Sequence, residues 1–127
     1  MKIVEIEWRR LVQGGATCER CGDTGALLEQ LVERLNAECG PRGFAVTLRK
    51  IALGPECIAE SNQIRIDGKL LEQWQPQIVV GHNDCSSCGE LLGHPQVCPT
   101  VEVAGESHEV PPAWLIRQGV CRSAGCC

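Results

Sequence analysis

The stretch Thr17-Cys18-Glu19-Arg20-Cys21-Gly22 decides how the rest of the chain is interpreted. Before it, Val4, Ile6 and Trp8 alternate with charged residues, and this period of two predicts a strand with one buried face. After it, the segment Asp23–Cys39 carries leucines and a valine at helical spacing, which predicts an amphipathic helix. The two cysteines of the stretch, three positions apart, are therefore expected in a strand-to-helix turn.

Such a turn would give the thiols of Cys18 and Cys21 a distinctive environment. The free N–H groups and the dipole at the start of a helix stabilise a thiolate, and Arg20 adds a positive charge. The pKa of the Cys18 thiol is therefore expected to lie below that of an ordinary cysteine. Dithiol redox chemistry and capture of a soft metal ion both need a lowered thiol pKa, so the placement does not choose between them.

A second strand and a hairpin follow the predicted helix. Gly40-Pro41 ends the helix, and Phe44, Val46 and Leu48 then alternate with other residues as in a half-buried strand. Strand, helix and strand with short joints form a βαβ unit, in which the two strands are parallel. Further along, Asp67-Gly68 is the dipeptide that suits a tight β-hairpin turn.

Residues 1–120 are predicted to form a single domain. Gln75–Gln77 is predicted to be a linker and Ile78-Val79-Val80 a short buried strand. The Cys-rich insertion at about 81–99 has little periodicity and is predicted to be a long loop. Val101 and Val103, followed by Glu109-Val110 beyond Ala104-Gly105, predict a second small hairpin. Pro112 favours the start of a short terminal helix, Ala113–Gln118. Residues 121–127 are small and polar apart from their cysteines, which predicts a flexible Cys-rich tail.

Composition and charge exclude several classes of function. The 127 residues include three Trp, one Phe and no Tyr, so the core must consist mainly of Leu, Ile and Val. A net charge of −4 without a basic run does not fit a nucleic-acid surface. Acidic residues near the start do not fit a secretory signal, and no apolar run approaches the roughly 20 residues that span a bilayer. A cytoplasmic protein without membrane contact is expected; its oligomeric state is left open.

Ten cysteines in such a chain need an explanation. In a secreted protein they would suggest a framework of disulfides, but the cytoplasm keeps thiols reduced. Metal binding or redox chemistry is therefore favoured over structural disulfides.

The order of strand, CxxC turn, helix, strand and hairpin resembles the thioredoxin and glutaredoxin fold. More narrowly, the chain is similar to an uncharacterised family of small Cys-rich bacterial thioredoxin-like proteins. The similarity rests on Thr17–Cys21, on Ser61-Asn62-Gln63-Ile64-Arg65-Ile66-Asp67-Gly68 and on the later cysteines, and it covers roughly residues 2–74. It implies an α/β fold with a βαβ unit, a β-hairpin and a C-terminal helix, interrupted by the Cys-rich insertion.

Two departures from the thioredoxin pattern bear on function. Thioredoxins carry Trp-Cys-Gly-Pro-Cys, whereas this chain has Thr17-Cys18-Glu19-Arg20-Cys21. They also place a cis-proline opposite the dithiol, where it excludes metal ions, and here Ser61-Asn62 occupies the equivalent position. Both departures weaken redox activity by analogy and favour access of a metal ion to the dithiol.

The insertion holds a second candidate site. Cys85 and Cys88 form a CxxC knuckle, whose tight backbone turn lets two thiolates bind one ion in tetrahedral geometry. Cys98 offers a third sulfur, and His82 or His94 offers a fourth ligand. The alternative is a loop closed by a disulfide or holding inert thiols.

The last cysteines form a third group. Cys121, Cys126 and Cys127 as thiolates would capture soft thiophilic ions, and a mobile tail would exchange such an ion with the first CxxC pair. The alternative is an end whose thiols do nothing. Cys39 ends an apolar helical face and is predicted to be a small buried hydrophobe.

Three functions remain open from the sequence. The first is a thiol–disulfide redox protein, in which Cys18 attacks and Cys21 resolves the mixed disulfide of a protein partner. The second is a protein that binds a soft metal or metalloid ion, for instance in detoxification. The third is a non-catalytic thioredoxin-like module whose cysteines hold structural zinc or another thiophilic ion.

Overall fold

The chain folds as a mixed α/β structure. A computed structural model describes residues 2–13, 16–17, 19–54, 63–84, 93, 97–108 and 110–125. The strands in this part are β1 (Lys2–Gln13), β2 (Ala16–Thr17), β3 (Phe44–Leu53), β4 (Gln63–Ile66), β5 (Lys69–Leu70), β6 (Val79–Asp84), β7 (Val97–Val103) and β8 (Glu106–His108). The helices are α1 (Glu19–Cys39), a 3-10 turn (Gly40–Arg42), α2 (Leu71–Trp74) and α3 (Ala113–Ala124).

Strand β1 is the centre of the main sheet. It pairs in parallel with β3, from Lys2↔Phe44 to Leu11↔Leu53, and antiparallel with β4, which in turn pairs with β5. Helix α1 makes the crossover between β1 and β3, as the sequence predicts. This βαβ unit, the hairpin β4–β5 and the later helix α3 are compatible with a thioredoxin-like α/β fold, and the predicted fold class is confirmed.

The hydrophobic core lies on one face of this sheet. Val4, Ile6 and Trp8 on β1 point to the same side, because successive side chains of a strand alternate between faces. Both long helices pack against that side and contribute to one cluster of buried residues, which includes Leu28, Leu31, Leu35, Leu115, Ile116 and Val120. As the composition requires, aliphatic side chains make up most of this cluster.

The turn between β4 and β5 ties the sheet to the last helix. Asp67 and Gly68 have φ angles of 50° and 79°, as in the predicted tight hairpin turn. The Asp67 amide donates to the Glu5 carbonyl at 2.8 Å, and the Glu5 amide donates to Asp67 Oδ1 at 2.9 Å. The hydroxyl of Ser123, on α3, donates to Asp67 Oδ2. One aspartate therefore joins β1, the hairpin and α3.

This turn gives a test of the hairpin. We expect Gly68→Val to lower the free energy of unfolding by about 1–2 kcal/mol, because a β-branched residue is strained at positive φ. Gly68→Asn, which tolerates the left-handed region, should cost clearly less. Thermal unfolding followed by circular dichroism measures both variants, and equal stability of the valine and wild-type proteins would contradict the predicted strain.

Asn36 fixes α1 against the outer edge of β3. Its side-chain amide donates to the Val46 carbonyl at 2.9 Å, and its side-chain carbonyl accepts from the Val46 amide at 2.7 Å. The side chain thus satisfies both backbone groups of one strand residue, and α1 is held in register with β3.

The structure corrects the predicted loop at 81–99. Residues 79–84 and 97–103 pair as antiparallel strands, and β8 extends this second sheet. The predicted strand at 78–80 and the predicted hairpin after residue 100 are thus parts of one larger sheet. Residues 81–84 and 97–99 escaped prediction because their Gly, His, Asn, Cys and Pro residues show no alternation of apolar and polar side chains. Residues 85–92 and 94–96, which connect them, lie outside the described residues.

The C-terminal helix is longer than predicted. It runs past Gln118 to Ala124 and is followed by Gly125 in the left-handed conformation, with φ 75°. Cys121 is buried within this helix, so the first four residues of the predicted flexible tail 121–127 are helical. None of the helices in the described part of the chain has the length and apolar character needed to cross a bilayer.

The predicted linker is also an ordered junction. Gln75 is fully buried, and its side-chain amide donates to the Leu115 carbonyl at 3.1 Å and to Gln118 Oε1 at 3.0 Å. Gln77 donates to the Gln75 side-chain carbonyl at 3.0 Å. Gln75 therefore attaches the end of α2 to α3.

Candidate functional site

The first CxxC stretch lies at the start of helix α1, beyond the end of β1. Strand β2 folds back on β1 through the pairs Val12↔Thr17 and Gln13↔Ala16, so the chain reverses immediately before Cys18. Helix α1 begins at Glu19, and the backbone of Cys21 is in its first turn. Cys18 itself lies outside the described residues, but its covalent neighbours, Thr17 and Glu19, bracket its position between β2 and α1.

A close contact between β1 and α1 supports this end of the helix. Gly25, four residues after Cys21, is so near Trp8 that an added Cβ would lie 2.6 Å from Cη2 and 2.8 Å from Cζ3 of the indole. The indole is 1% exposed and fills the space between strand and helix. Glycine is therefore required at position 25 by packing, although it has no advantage for helix formation.

Arg10 lies beside this contact. It follows Trp8 by two residues on β1, and its guanidinium carbon lies 5.4 Å from the centre of the Trp8 ring, a cation–π arrangement. Its Nε is buried and has no hydrogen-bond partner among the residues that the structure describes. The sequence analysis did not predict that Arg10 is partly buried. A charged residue that follows alternating apolar residues is normally taken to mark the end of the buried face of a strand.

The second candidate site is carried by the hairpin of β6 and β7. The backbone of His82 pairs with Pro99, Asn83 with Cys98 and Asp84 with Val97. In the sequence, Cys85 follows Asp84 directly. The hairpin thus brings the backbones of His82 and Cys98 together.

The other predicted ligands cannot be assigned a place. Cys85, Cys88, His94, Cys126 and Cys127 lie outside the described residues, and their roles stay predictions. Within the part of the chain that the structure describes, no three His, Cys, Asp or Glu residues form a group able to hold a metal ion.

Two further cysteines have defined surroundings. Cys39 is a reduced thiol, 2% exposed, and the prediction of a small buried hydrophobe at the end of α1 is confirmed. Cys121 is disulfide-bonded and is not a thiolate in a mobile tail. The sequence analysis placed Cys121 with the possible metal ligands, and the structure corrects that placement.

These features define an α/β protein with a CxxC stretch at the start of the helix that follows its central strand. The family model described as "Domain of unknown function (DUF2703)" matches residues 4–120, and the chain belongs to this family. It is similar to an uncharacterised protein of Archaeoglobus fulgidus, with 35% identity over 115 residues that cover 87% of this chain and 80% of that protein. No solved structure matches the chain.

Proposed function

We propose that the protein is a thiol–disulfide redox protein of the thioredoxin-like superfamily that uses Cys18 and Cys21 as its dithiol. The observation that carries the proposal is the start of the 21-residue helix α1 at Glu19, directly after Cys18 and beyond the end of the central strand. Unpaired N–H groups and the helix dipole at this end favour a thiolate. A thiolate is the species that attacks a disulfide.

The proposed reaction is a two-step exchange. The Cys18 thiolate attacks one sulfur of a partner disulfide, forms a mixed disulfide and releases the other partner sulfur as a thiolate. Cys21, after losing its proton, then attacks Cys18, which releases the second partner thiol and leaves a Cys18–Cys21 disulfide. Two electrons pass from the protein to its partner. We take the cytoplasm as the compartment, because its reducing thiol pools would restore the dithiol.

The test is turnover of a disulfide substrate. The reduced protein should reduce insulin disulfides or a glutathione mixed disulfide, with dithiothreitol or glutathione as the final reductant, faster than the reductant alone. The same preparation should contain two thiols that become one disulfide per turnover. A rate equal to that of the reductant alone with both substrates would contradict the proposal.

A second candidate function is metal binding at the β6–β7 hairpin. Its supporting observation is the pairing of Asn83 with Cys98, which carries a cysteine of the later cluster back beside the strand that leads into Cys85-Ser86-Ser87-Cys88. Thiolate and imidazole ligands suit zinc, and thiolates alone suit softer ions. The hairpin would then be a structural zinc site or a site for a soft metal or metalloid.

Metal analysis separates this candidate from the redox proposal. Protein purified under reducing conditions should carry about one equivalent of zinc if the hairpin is a closed structural site. The Cys98→Ser variant should lose that metal, while Cys18→Ser should keep it. Metal-free protein in which the cysteines of the hairpin all titrate as thiols would contradict structural zinc.

A further inference from the structure

A cavity lies at the end of the second sheet where β7 turns into β8. Its volume is about 370 Å³, which is within the range of small-molecule sites. The residues that line it include Gln77, Val79, Glu102, Ala104, Glu106 and Ser107. Among the described residues of this lining, the charged ones are both glutamates. The cavity therefore favours an occupant of positive charge.

Glu102 is a carboxylate without a cation to balance it. It lies on β7, the middle strand of this sheet, and pairs with Val79 on one side and with Ser107 on the other. Its side chain is partly buried and forms no hydrogen bond or ion pair with the residues that the structure describes. A charge that has lost part of its hydration in this way is costly unless another group pairs with it.

Thr100 gives a second, independent sign of a missing polar partner. It is 2% exposed, and its hydroxyl oxygen is buried without a hydrogen-bond partner among the described residues. A Cβ added to Gly81, which pairs with Thr100, would lie 2.9 Å from Thr100 Oγ1 and 2.8 Å from Glu102 Cδ. The hydroxyl and the carboxylate thus converge over a glycine without bonding to each other. Both oxygens accept hydrogen bonds, so one donor group between them would satisfy both.

The rest of the lining also suits a ligand that brings its own donors. The side-chain nitrogen of Gln77 donates to Gln75 Oε1 at 3.0 Å, so the side-chain carbonyl of Gln77 remains as an acceptor. Glu106 adds a second carboxylate, but it is 78% exposed and lies 3.7 Å from His108 Nε2, so its charge is better screened. Val79 is 59% exposed and gives the lining an apolar surface.

We propose that this cavity binds a small aliphatic amine, whose ammonium group is held by Glu102 and Thr100 and whose carbon chain packs against Val79. An ammonium group has three donors and the charge that complements a carboxylate. Calcium and magnesium fit less well, because they take about six or more oxygen ligands, and only one carboxylate converges with the Thr100 hydroxyl. The site is separate from the CxxC stretch, and the inference is independent of the proposed redox function.

The first experiment is a titration of the ¹⁵N-labelled protein with n-butylamine at pH 7, followed by the amide shifts in NMR spectra. The shifts should saturate and should concentrate on β6, β7 and β8 around the cavity. n-Butanol has the same chain without the charge, and tetramethylammonium has the charge without N–H donors. Each should bind roughly fivefold or more weakly than n-butylamine, and added salt should weaken n-butylamine binding.

Three variants assign the binding to particular atoms. Glu102→Gln keeps the size of the side chain and removes its charge, so the affinity for n-butylamine should fall about tenfold. Thr100→Val keeps the shape and removes the hydroxyl, so the affinity should fall about threefold without a loss of thermal stability. Glu33→Gln is the matched control, because it removes an exposed carboxylate of α1 and should leave the affinity unchanged.

The outcomes decide the inference without reference to disulfide exchange. Equal affinities of the wild-type and Glu102→Gln proteins would overturn it, as would amide shifts spread over surface carboxylates in place of the cavity. If Glu102→Gln does not fold, the wild-type titrations decide. Binding of n-butanol or tetramethylammonium as tight as that of n-butylamine would overturn the inference, and a preference for n-butylamine with shifts at the cavity would support it.

Discussion

Replacing Cys18 by serine is expected to abolish disulfide exchange, with a loss of about a hundredfold or more in the rate of insulin reduction. A serine hydroxyl is not ionised near neutral pH, so the variant lacks the attacking thiolate. Replacing Cys21 by serine should have a different effect. The first attack would still occur, but the mixed disulfide would persist because no resolving thiol remains. Incubation with oxidised glutathione and intact mass measurement should therefore show one glutathione adduct on Cys21→Ser and none at this site on Cys18→Ser.

The matched control is another cysteine of the same helix. Cys39 lies at the far end of α1 and is buried as a reduced thiol, so Cys39→Ala should keep full exchange activity. A Cys18→Ser protein that keeps its activity, or a Cys21→Ser protein that is active and never accumulates an adduct, would show that the two residues do not act as attacking and resolving thiols.

The largest effect on stability is expected at Gly25. Replacing it by leucine should lower the free energy of unfolding by about 3 kcal/mol or more, because a buried indole blocks the added side chain and overpacked cores respond by distortion. Leucine forms helices better than glycine by almost 1 kcal/mol, so helix propensity would predict the opposite sign. The sign of the change therefore distinguishes packing against Trp8 from local helix formation. Denaturant unfolding monitored by circular dichroism measures it.

Gly22 gives the control on the same helix. It is exposed, and a Cβ added there would meet no atom within 4 Å. Gly22→Leu should therefore stabilise the protein by about 0.5–1 kcal/mol. Combining Gly25→Leu with Trp8→Leu should recover part of the lost stability, because the smaller side chain on β1 makes room. If the changes in the free energy of unfolding caused by Gly25→Leu and Trp8→Leu simply add, the contact between the two residues is not the cause of the destabilisation.

Much of the main sheet was predictable, because its signals are local. Alternation over Val4, Ile6 and Trp8 defined the central strand, and the recurrence of leucines defined α1 and its inner face. Asp67-Gly68 defined a turn that needs positive φ at both residues. These patterns report one buried face or one backbone conformation each, and a single sequence is sufficient to read them.

The second sheet was predicted only in part, for a physical reason. Residues 79–84 and 97–103 form strands by pairing with each other. Val79 is 59% exposed and Val80 39% exposed, so β6 does not have the buried face that marks a strand in a sequence. Pairing of this kind is a property of two distant segments, and it leaves no periodic trace in residues 81–84 and 97–99. The extension of α3 beyond Gln118 was not predicted. Val120 and Ala124 have helical spacing, but the polar residues Arg122 and Ser123 between them made this segment look like a polar tail.

The candidate site was predictable in position but not in its surroundings. The CxxC spacing and the flanking strand and helix placed Cys21 correctly in the first turn of α1. The contacts of Trp8 with Gly25 and with Arg10 depend on how β1 and α1 are aligned, which no local pattern encodes. The role of Cys18 and of the cysteines outside the described residues stays a prediction.

The side chain of Asn36 has a consequence for how this protein behaves at high concentration. Strand β3 is ten residues long and, within the part of the chain that the structure describes, pairs with β1 alone. Unpaired backbone groups along the side of a strand invite pairing with another chain. Asn36 imitates a neighbouring strand at Val46, presenting one donor and one acceptor in place of a peptide group. A second molecule that pairs with β3 at Val46 must first break both bonds. The amide thus opposes sheet extension at this point of the strand, and such extension is the first step toward aggregates of the cross-β kind.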